Sequence, residues 1–151
     1  MQQTDISFRL LTEADLADWL ALEQQAFPDP WTEKQLLSLL ARPRNVCFGC
    51  FELNQLLGFA VCSTVLDETE LLQIAVAESR RGSGLSQRFF AALIQELSGR
   101  GVARMLLEVR VSNNAAIGFY RSRGFSKDGC RKDYYPTAEG REDALLMSLS
   151  F

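Results

Sequence analysis

Ile74-Ala75-Val76, followed by Arg81-Gly82-Ser83-Gly84-Leu85-Ser86 and an amphipathic run through Phe90, reads as a buried strand that delivers a glycine-bearing turn into a helix. Gly82 and Gly84 allow backbone conformations closed to residues with a Cβ, so several N–H groups of one short turn can converge on an anion. The helix that follows contributes the partial positive charge of its N-terminus, and Arg81 contributes a full one. On these residues alone a phosphate cradle and a plain strand-to-helix connector both stand.

The rest of the chain alternates in the same manner. Ile6 to Leu10 predicts a strand, and Thr12 with Asp15 opens a helix that turns Leu16, Trp19, Leu20 and Ala26 inward. Phe27-Pro28-Asp29-Pro30-Trp31 breaks it, and Thr32 caps a second helix carrying Leu36, Leu37, Leu39 and Leu40 that ends near Pro43. Asn45 to Glu52 and Leu56 to Val65 form a hairpin around Leu53-Asn54-Gln55, and Glu70 to Val76 is the next antiparallel neighbour. The helix from Gly84 places Leu85, Phe89, Leu93 and Leu97 on one stripe and stops at Gly99-Arg100-Gly101. Arg104 to Val111 is a strand, Asn114 to Arg123 a short helix closed by Gly124, and Phe125 to Tyr134 and Asp143 to Leu149 are the last strands. The order is βααβββαβαββ.

A chain of 151 residues with 47% hydrophobic content and no Pro/Gly/Ser-rich linker suits one domain, 1–151. The apolar runs fall short of a membrane span, and Met1-Gln2-Gln3-Thr4-Asp5 has no basic start to a secretory leader, so a cytoplasmic protein is expected. A formal charge of −3 argues against a phosphate-backbone binder and favours basic partners, with neither nucleic acid nor membrane engaged directly. Cys47 and Cys50 have the gap of a zinc or redox pair. In a strand they point to opposite faces, however, and with no histidine in the chain there is nothing to complete a metal site. We expect no metal, and ordinary buried thiols. Lacking histidine, any acid–base chemistry must use carboxylate, tyrosine, lysine or water.

The cradle, then Met105-Leu106-Leu107-Glu108-Val109, then Asn113 to Phe125 in that order, resemble the GNAT superfamily of acyl-CoA-dependent N-acetyltransferases, whose cofactor loop reads [QR]-x-x-G-x-[GA]. Arg81, Gly84 and Ser86 hold those three positions, with Ser86 departing from the last. Tyr134-Tyr135-Pro136-Thr137, Gly140 to Ala144 and Leu107 to Arg110 narrow the likeness to the bacterial RimI-type ribosomal-protein-alanine N-acetyltransferases. It is dense from about Leu72 to Met147, and before that rests mainly on Pro30 to Lys34. The resemblance implies the GNAT acyl-CoA N-acyltransferase fold, an α/β domain with a central mixed β-sheet and helices on both faces. It implies acetyl-CoA as cosubstrate, its pantetheine arm lying like an added strand in a gap between Leu71–Val76 and Arg104–Val109. By it, Ile74, Ala75 and Val76 contact the arm, Gly82, Ser83, Gly84, Leu85, Ser86 and Gln87 wrap the pyrophosphate with Arg81, and Asn113 contacts the cofactor. From the residues alone, Ile74 to Val76 are core and Asn113 is a helix cap.

Glu108 interrupts an apolar strand and alternates onto the face opposite Leu107 and Val109. By resemblance it is the base that takes the amine proton, directly or through a water; by itself it reads as a solvated strand carboxylate. Tyr120, a core aromatic by position, is by resemblance the acid that protonates the departing thiolate. An α-amine, with a pKa of ~8, costs about 1 kcal/mol to deprotonate at neutral pH, whereas lysine costs about 4 to 5 kcal/mol, so a carboxylate base suits an N-terminus. Trp31, Tyr134, Tyr135 and Arg141 are placed by fold analogy along a peptide slot. The expected activity is acetylation of the N-terminal alanine of a basic ribosomal small-subunit protein, the eighteenth. The alternatives are a GNAT enzyme for a lysine, polyamine or aminoglycoside, and a non-enzymatic acetyl-CoA sensor.

Overall fold

The computed structural model describes residues 5–151; Met1 to Thr4, which belong to the stretch read above for a secretory leader, lie outside them. The elements run β1 (Ile6–Leu10), α1 (Leu16–Ala26), α2 (Glu33–Ala41), β2 (Asn45–Glu52), β3 (Gln55–Val65), β4 (Glu68–Val76), α3 (Leu85–Gly99), β5 (Arg104–Arg110), α4 (Asn114–Ser122), β6 (Ser126–Thr137) and β7 (Gly140–Ser150). This is the expected order. The strands form one seven-stranded sheet, β1-β2-β3-β4-β5-β7-β6, in which β4 and β5 are parallel and every other pair is antiparallel.

Local chemistry explains the boundaries. At the start of α2, Thr32 Oγ1 accepts from the Gln35 amide (3.2 Å) and Gln35 Oε1 accepts from the Thr32 amide (2.8 Å), a reciprocal cap. Arg42, the residue before Pro43, takes extended geometry and ends the helix. Ahead of α1, Asp15 accepts both guanidinium nitrogens of Arg9 (2.8 and 2.9 Å) and the Thr12 amide (2.8 Å), and the Arg9 guanidinium holds its carboxyl below the usual carboxylate range. The β2–β3 turn consists of Leu53 and Asn54, both at positive φ (50° and 67°), the geometry that suits a two-residue hairpin.

The sheet has a core on each face. On one side α3 and α4 pack against it through Leu85, Phe89, Phe90, Leu93, Leu97 and Phe119. On the other, α1 and α2 cover it through Trp19, Leu22 and Leu36. Cys50 belongs to the first core and Cys47 to the second, so the two thiols are separated by the sheet. Burial pushes each up to about 11 and keeps it protonated. Cys62 is also buried, but Cys130 is exposed, unlike the buried thiols expected.

Three other expectations need correction. The inward stripe of α1 is Trp19, Leu22 and Glu23, with Leu16 and Leu20 at its margin. Strand β4 begins two residues earlier than expected, at Glu68. The last hairpin is also longer, with β6 running on to Thr137 and β7 starting at Gly140. Pro136 is accommodated because β6 is the edge of the sheet, where a residue without an N–H costs no ladder bond if its nitrogen faces outward.

Candidate active site

Strands β4 and β5 pair at only three positions, Glu68 with Arg104, Thr69 with Met105 and Glu70 with Leu106. Beyond these β4 stays with β3 up to Val76, and β5 stays with β7 up to Arg110, so the two facing edges diverge from Leu71 and Leu107 onward. A bulge at Leu72 shifts the register of β4 against β3 and resets which face each later residue takes. The Ala77 amide donates to Leu57 O (2.7 Å), and a Cβ on Gly58 would stand 2.9 Å from the Ala75 carbonyl oxygen, so both groups face β3. Alternation then turns the amides and carbonyls of Ile74 and Val76 toward the open edge.

A cavity lies on each face of the sheet beside this opening. The one on the α3/α4 side, about 180 Å³, is lined by Ile74, Ala75, Val76, Ser86, Ala116, Phe119 and Tyr120. Tyr120 packs between Phe119 (5.8 Å) and Phe125 (5.4 Å), and burial pushes its phenol up to about 12. It therefore keeps its proton across the working range of pH and is a weaker acid than a free tyrosine.

At the mouth of this cavity the glycine turn enters α3. Gly82 and Gly84 stand at φ +76° and +85°, and a Cβ on either would meet nothing within 4 Å, so their use lies in the backbone path and the open side it leaves. The first intrahelical bond runs from the Arg88 amide to Gly84 O (3.2 Å), which leaves the Ser86 and Gln87 amides without an intrahelical acceptor. Gly82, Ser83, Gly84, Gln87 and Arg81 are exposed, while Leu85 is buried and anchors the helix. Exposed amides at a helix start, a nearby cation and an unpaired strand edge suit the pyrophosphate and amide-bearing arm of acetyl-CoA. Asn113 Oδ1 accepts the Ala116 amide (3.2 Å), so it caps α4.

The cavity on the opposite face, about 370 Å³, is lined by Glu70, Arg104, Leu106, Leu107, Glu108, Asp128, Arg131, Leu146 and Met147. Along β5, Met105, Leu107 and Val109 are buried while Glu108 is partly exposed, on the opposite face as expected. Its Oε1 receives the guanidinium of Arg131 (3.0 Å), a partner on β6 that the sequence did not suggest. Glu108 and Tyr120 thus line different cavities on opposite faces of the sheet.

None of Trp31, Tyr134, Tyr135 and Arg141 lines either cavity. Trp31 is partly buried against the α1/α2 core, and its amide donates to Glu23 Oε1 (3.0 Å). The same oxygen accepts Gln73 Nε2 (2.9 Å), so one fully buried carboxylate ties the α1–α2 connection to β4 next to Ile74. Sequence reading missed Glu23, although its place four residues after Trp19 and three before Ala26 marks it as inward. Tyr134 and Tyr135 form an edge-to-face pair (4.9 Å) on the final hairpin. Arg141 donates to the Asp133 and Tyr134 carbonyls (2.7 and 3.2 Å) and braces that hairpin.

Comparison with known proteins agrees with this geometry. The chain matches the acetyltransferase (GNAT) family over residues 16–125. It is 42% identical over 139 residues to the [ribosomal protein bS18]-alanine N-acetyltransferase of Escherichia coli K12, a match covering 92% of this chain and 93% of the relative. It is 30% identical over 146 residues to the putative enzyme of the same description from Bacillus subtilis, covering 96% and 95%. The crystal structure of the Escherichia coli ribosomal-protein-S18-alanine N-acetyltransferase superposes with a TM-score of 0.88 at 40% identity, covering 97% of this chain and 94% of that one. With a parallel pair that splays beside a glycine-turned helix start, and with these likenesses spanning most of its length, the chain belongs to the GNAT family of acetyltransferases.

Proposed function

We propose that this chain transfers the acetyl group of acetyl-CoA to the α-amine of an N-terminal alanine, that of ribosomal protein bS18. The observation that carries the reading is the 42% identity, across 92% of the chain, to an enzyme of that description. The two-sided cleft supports it. Acetyl-CoA supplies the activated acyl group, held by the Ser86 and Gln87 amides, the Gly82–Gly84 turn and the open edge of β4. The acceptor reaches the thioester from the other face, where Glu108 removes a proton from the amine so that its lone pair can attack. Tyr120, kept protonated by its burial, gives a proton to the departing thiolate. Trp31, tied down by Glu23, and the tyrosine pair of the last hairpin flank the approach of the peptide. A protein of net charge −3 favours a basic segment behind the alanine, and the reaction belongs to the cytoplasm, without nucleic acid or membrane as a direct partner.

The test is CoA release on a small panel. An alanine-initiated peptide followed by basic residues is acetylated; the same peptide with a blocked N-terminus and a free internal lysine is not. Preference for the blocked peptide would replace this reading with lysine acetylation, and acetyl-CoA binding without transfer to any amine would replace it with a sensor.

A further inference from the structure

We infer that Arg131 is an exchangeable counter-cation of Glu108, holding the carboxylate in the cavity until the ammonium of the acceptor takes its place and returning once acetylation has removed that charge. This inference rests on the proposed role of Glu108 as the base. The contact is direct, Arg131 Nη2 to Glu108 Oε1 at 3.0 Å, and both residues line the 370 Å³ cavity. They lie two strands apart. Arg131 registers with Ala144 on β7 and Glu108 with Leu146, so the guanidinium reaches diagonally across β7, over a residue small enough to let it pass. Crossing two strand spacings, about 10 Å, requires both long side chains.

The other arginines nearby have carboxylates of their own. Arg104 pairs with Glu68 (2.9 Å) and Asp128 (3.8 Å), and Arg110 pairs with Glu142 (3.0 Å). Among the described residues, Glu108 is the only ion-pair partner of Arg131. The guanidinium carbon also lies 4.8 Å from the centre of the Tyr134 ring, a cation–π contact that it makes together with the ion pair and that does not depend on Glu108. The strand pairing there is irregular. The β6–β7 register breaks immediately after Arg131 and resumes at Tyr135, with Asp133 at φ +52° between them. The Arg131 side chain is 52% exposed and that of Glu108 21%, which makes the pair weak enough to exchange.

An exchange makes the site read charge. A free α-ammonium replaces one cation with another on Glu108; an acetylated N-terminus has no cation to offer, so Arg131 keeps its place and the product is released. Removing Arg131 therefore helps the free amine and leaves the product unaffected.

The experiment compares wild type, Arg131→Gln and Arg131→Lys, measuring affinity for the alanine-initiated peptide and for the same peptide already acetylated, together with KM for peptide and for acetyl-CoA. For Arg131→Gln, the free-amine peptide should bind roughly two- to fivefold more tightly, the size of a half-exposed ion pair. Its peptide KM should fall to match, with acetylated-peptide affinity and acetyl-CoA KM unchanged, and Arg131→Lys should stay near wild type. A rise in peptide KM, equal change for both peptides, or no change at all would overturn the inference. Should wild type fail to acetylate the peptide, the proposed function falls instead, and the two failures are told apart.

Discussion

Replacing Gly84 with valine separates the fold from the cofactor site. Gly84 stands at φ +85° with nothing within 4 Å of a Cβ, so a β-carbon there meets no neighbouring atom, and the main cost to folding is the left-handed backbone. That cost is ~1–2 kcal/mol for an L-residue, at the upper end for a β-branched one. For a chain of this size it lowers Tm by about 2–8 °C. Binding suffers more. The new methyls project into the open side of the turn where the Ser86 and Gln87 amides would meet a phosphate, and each hydrogen bond to a charged group contributes about 1.5–3 kcal/mol. Loss of one or two such bonds weakens acetyl-CoA by roughly tenfold to a thousandfold or more. Calorimetric titration with acetyl-CoA and a thermal melt on the same preparation decide the matter. Wild-type affinity in a folded Gly84→Val protein would mean that the turn is only a connector, and an unfolded variant would mean that the conformational cost has been misjudged.

Two further substitutions test residues placed by the structure. Tyr120→Phe should lower kcat on the order of 10² while leaving acetyl-CoA affinity near wild type, read by steady-state kinetics and titration. Because folding raises the phenol from 10 to about 12, the unfolded chain ionises first, and wild type should lose about 2–3 kcal/mol relative to Tyr120→Phe as pH rises from ~10 to ~12, read from urea midpoints. Glu23→Ala strips the Trp31 amide and Gln73 Nε2 of their buried acceptor, an expected loss of about 2–5 kcal/mol in urea unfolding. It should also raise KM for peptide more than for acetyl-CoA, since Trp31 packs on the α1/α2 face, from which the acceptor is proposed to approach.

The order of elements was legible because each one carries its own period: fourfold spacing in α3, alternation in β5, a capping box at Thr32. The backbone of the candidate cofactor side was legible for a related reason, since Ile74 to Gln87 is one continuous stretch whose glycines announce their φ. The acceptor side was not. Glu108 could be placed on a face from alternation, but its partner Arg131 comes from a strand that is not its neighbour in the sheet, and no spacing in the chain encodes that approach. The Leu72 bulge has no compositional mark and is visible only as a slip in register, yet it is what turns Gln73 toward Glu23. The full length of the final hairpin was not legible either, since its last pairs, Pro136 with Arg141 and Thr137 with Gly140, are set by a register that resumes only after the break at Arg131.

The central claim is that the amine is deprotonated by Glu108 on the face of the sheet opposite the cofactor. The direct measurement is the pH dependence of transfer to an alanine-initiated peptide by Glu108→Gln, with acetyl-CoA binding measured alongside. The account predicts unchanged acetyl-CoA affinity and a rate deficit at neutral pH that shrinks as pH passes the α-amine pKa of ~8, where less help with the proton is needed. A wild-type rate at pH 7, or a deficit that tracks lost acetyl-CoA binding, would contradict it.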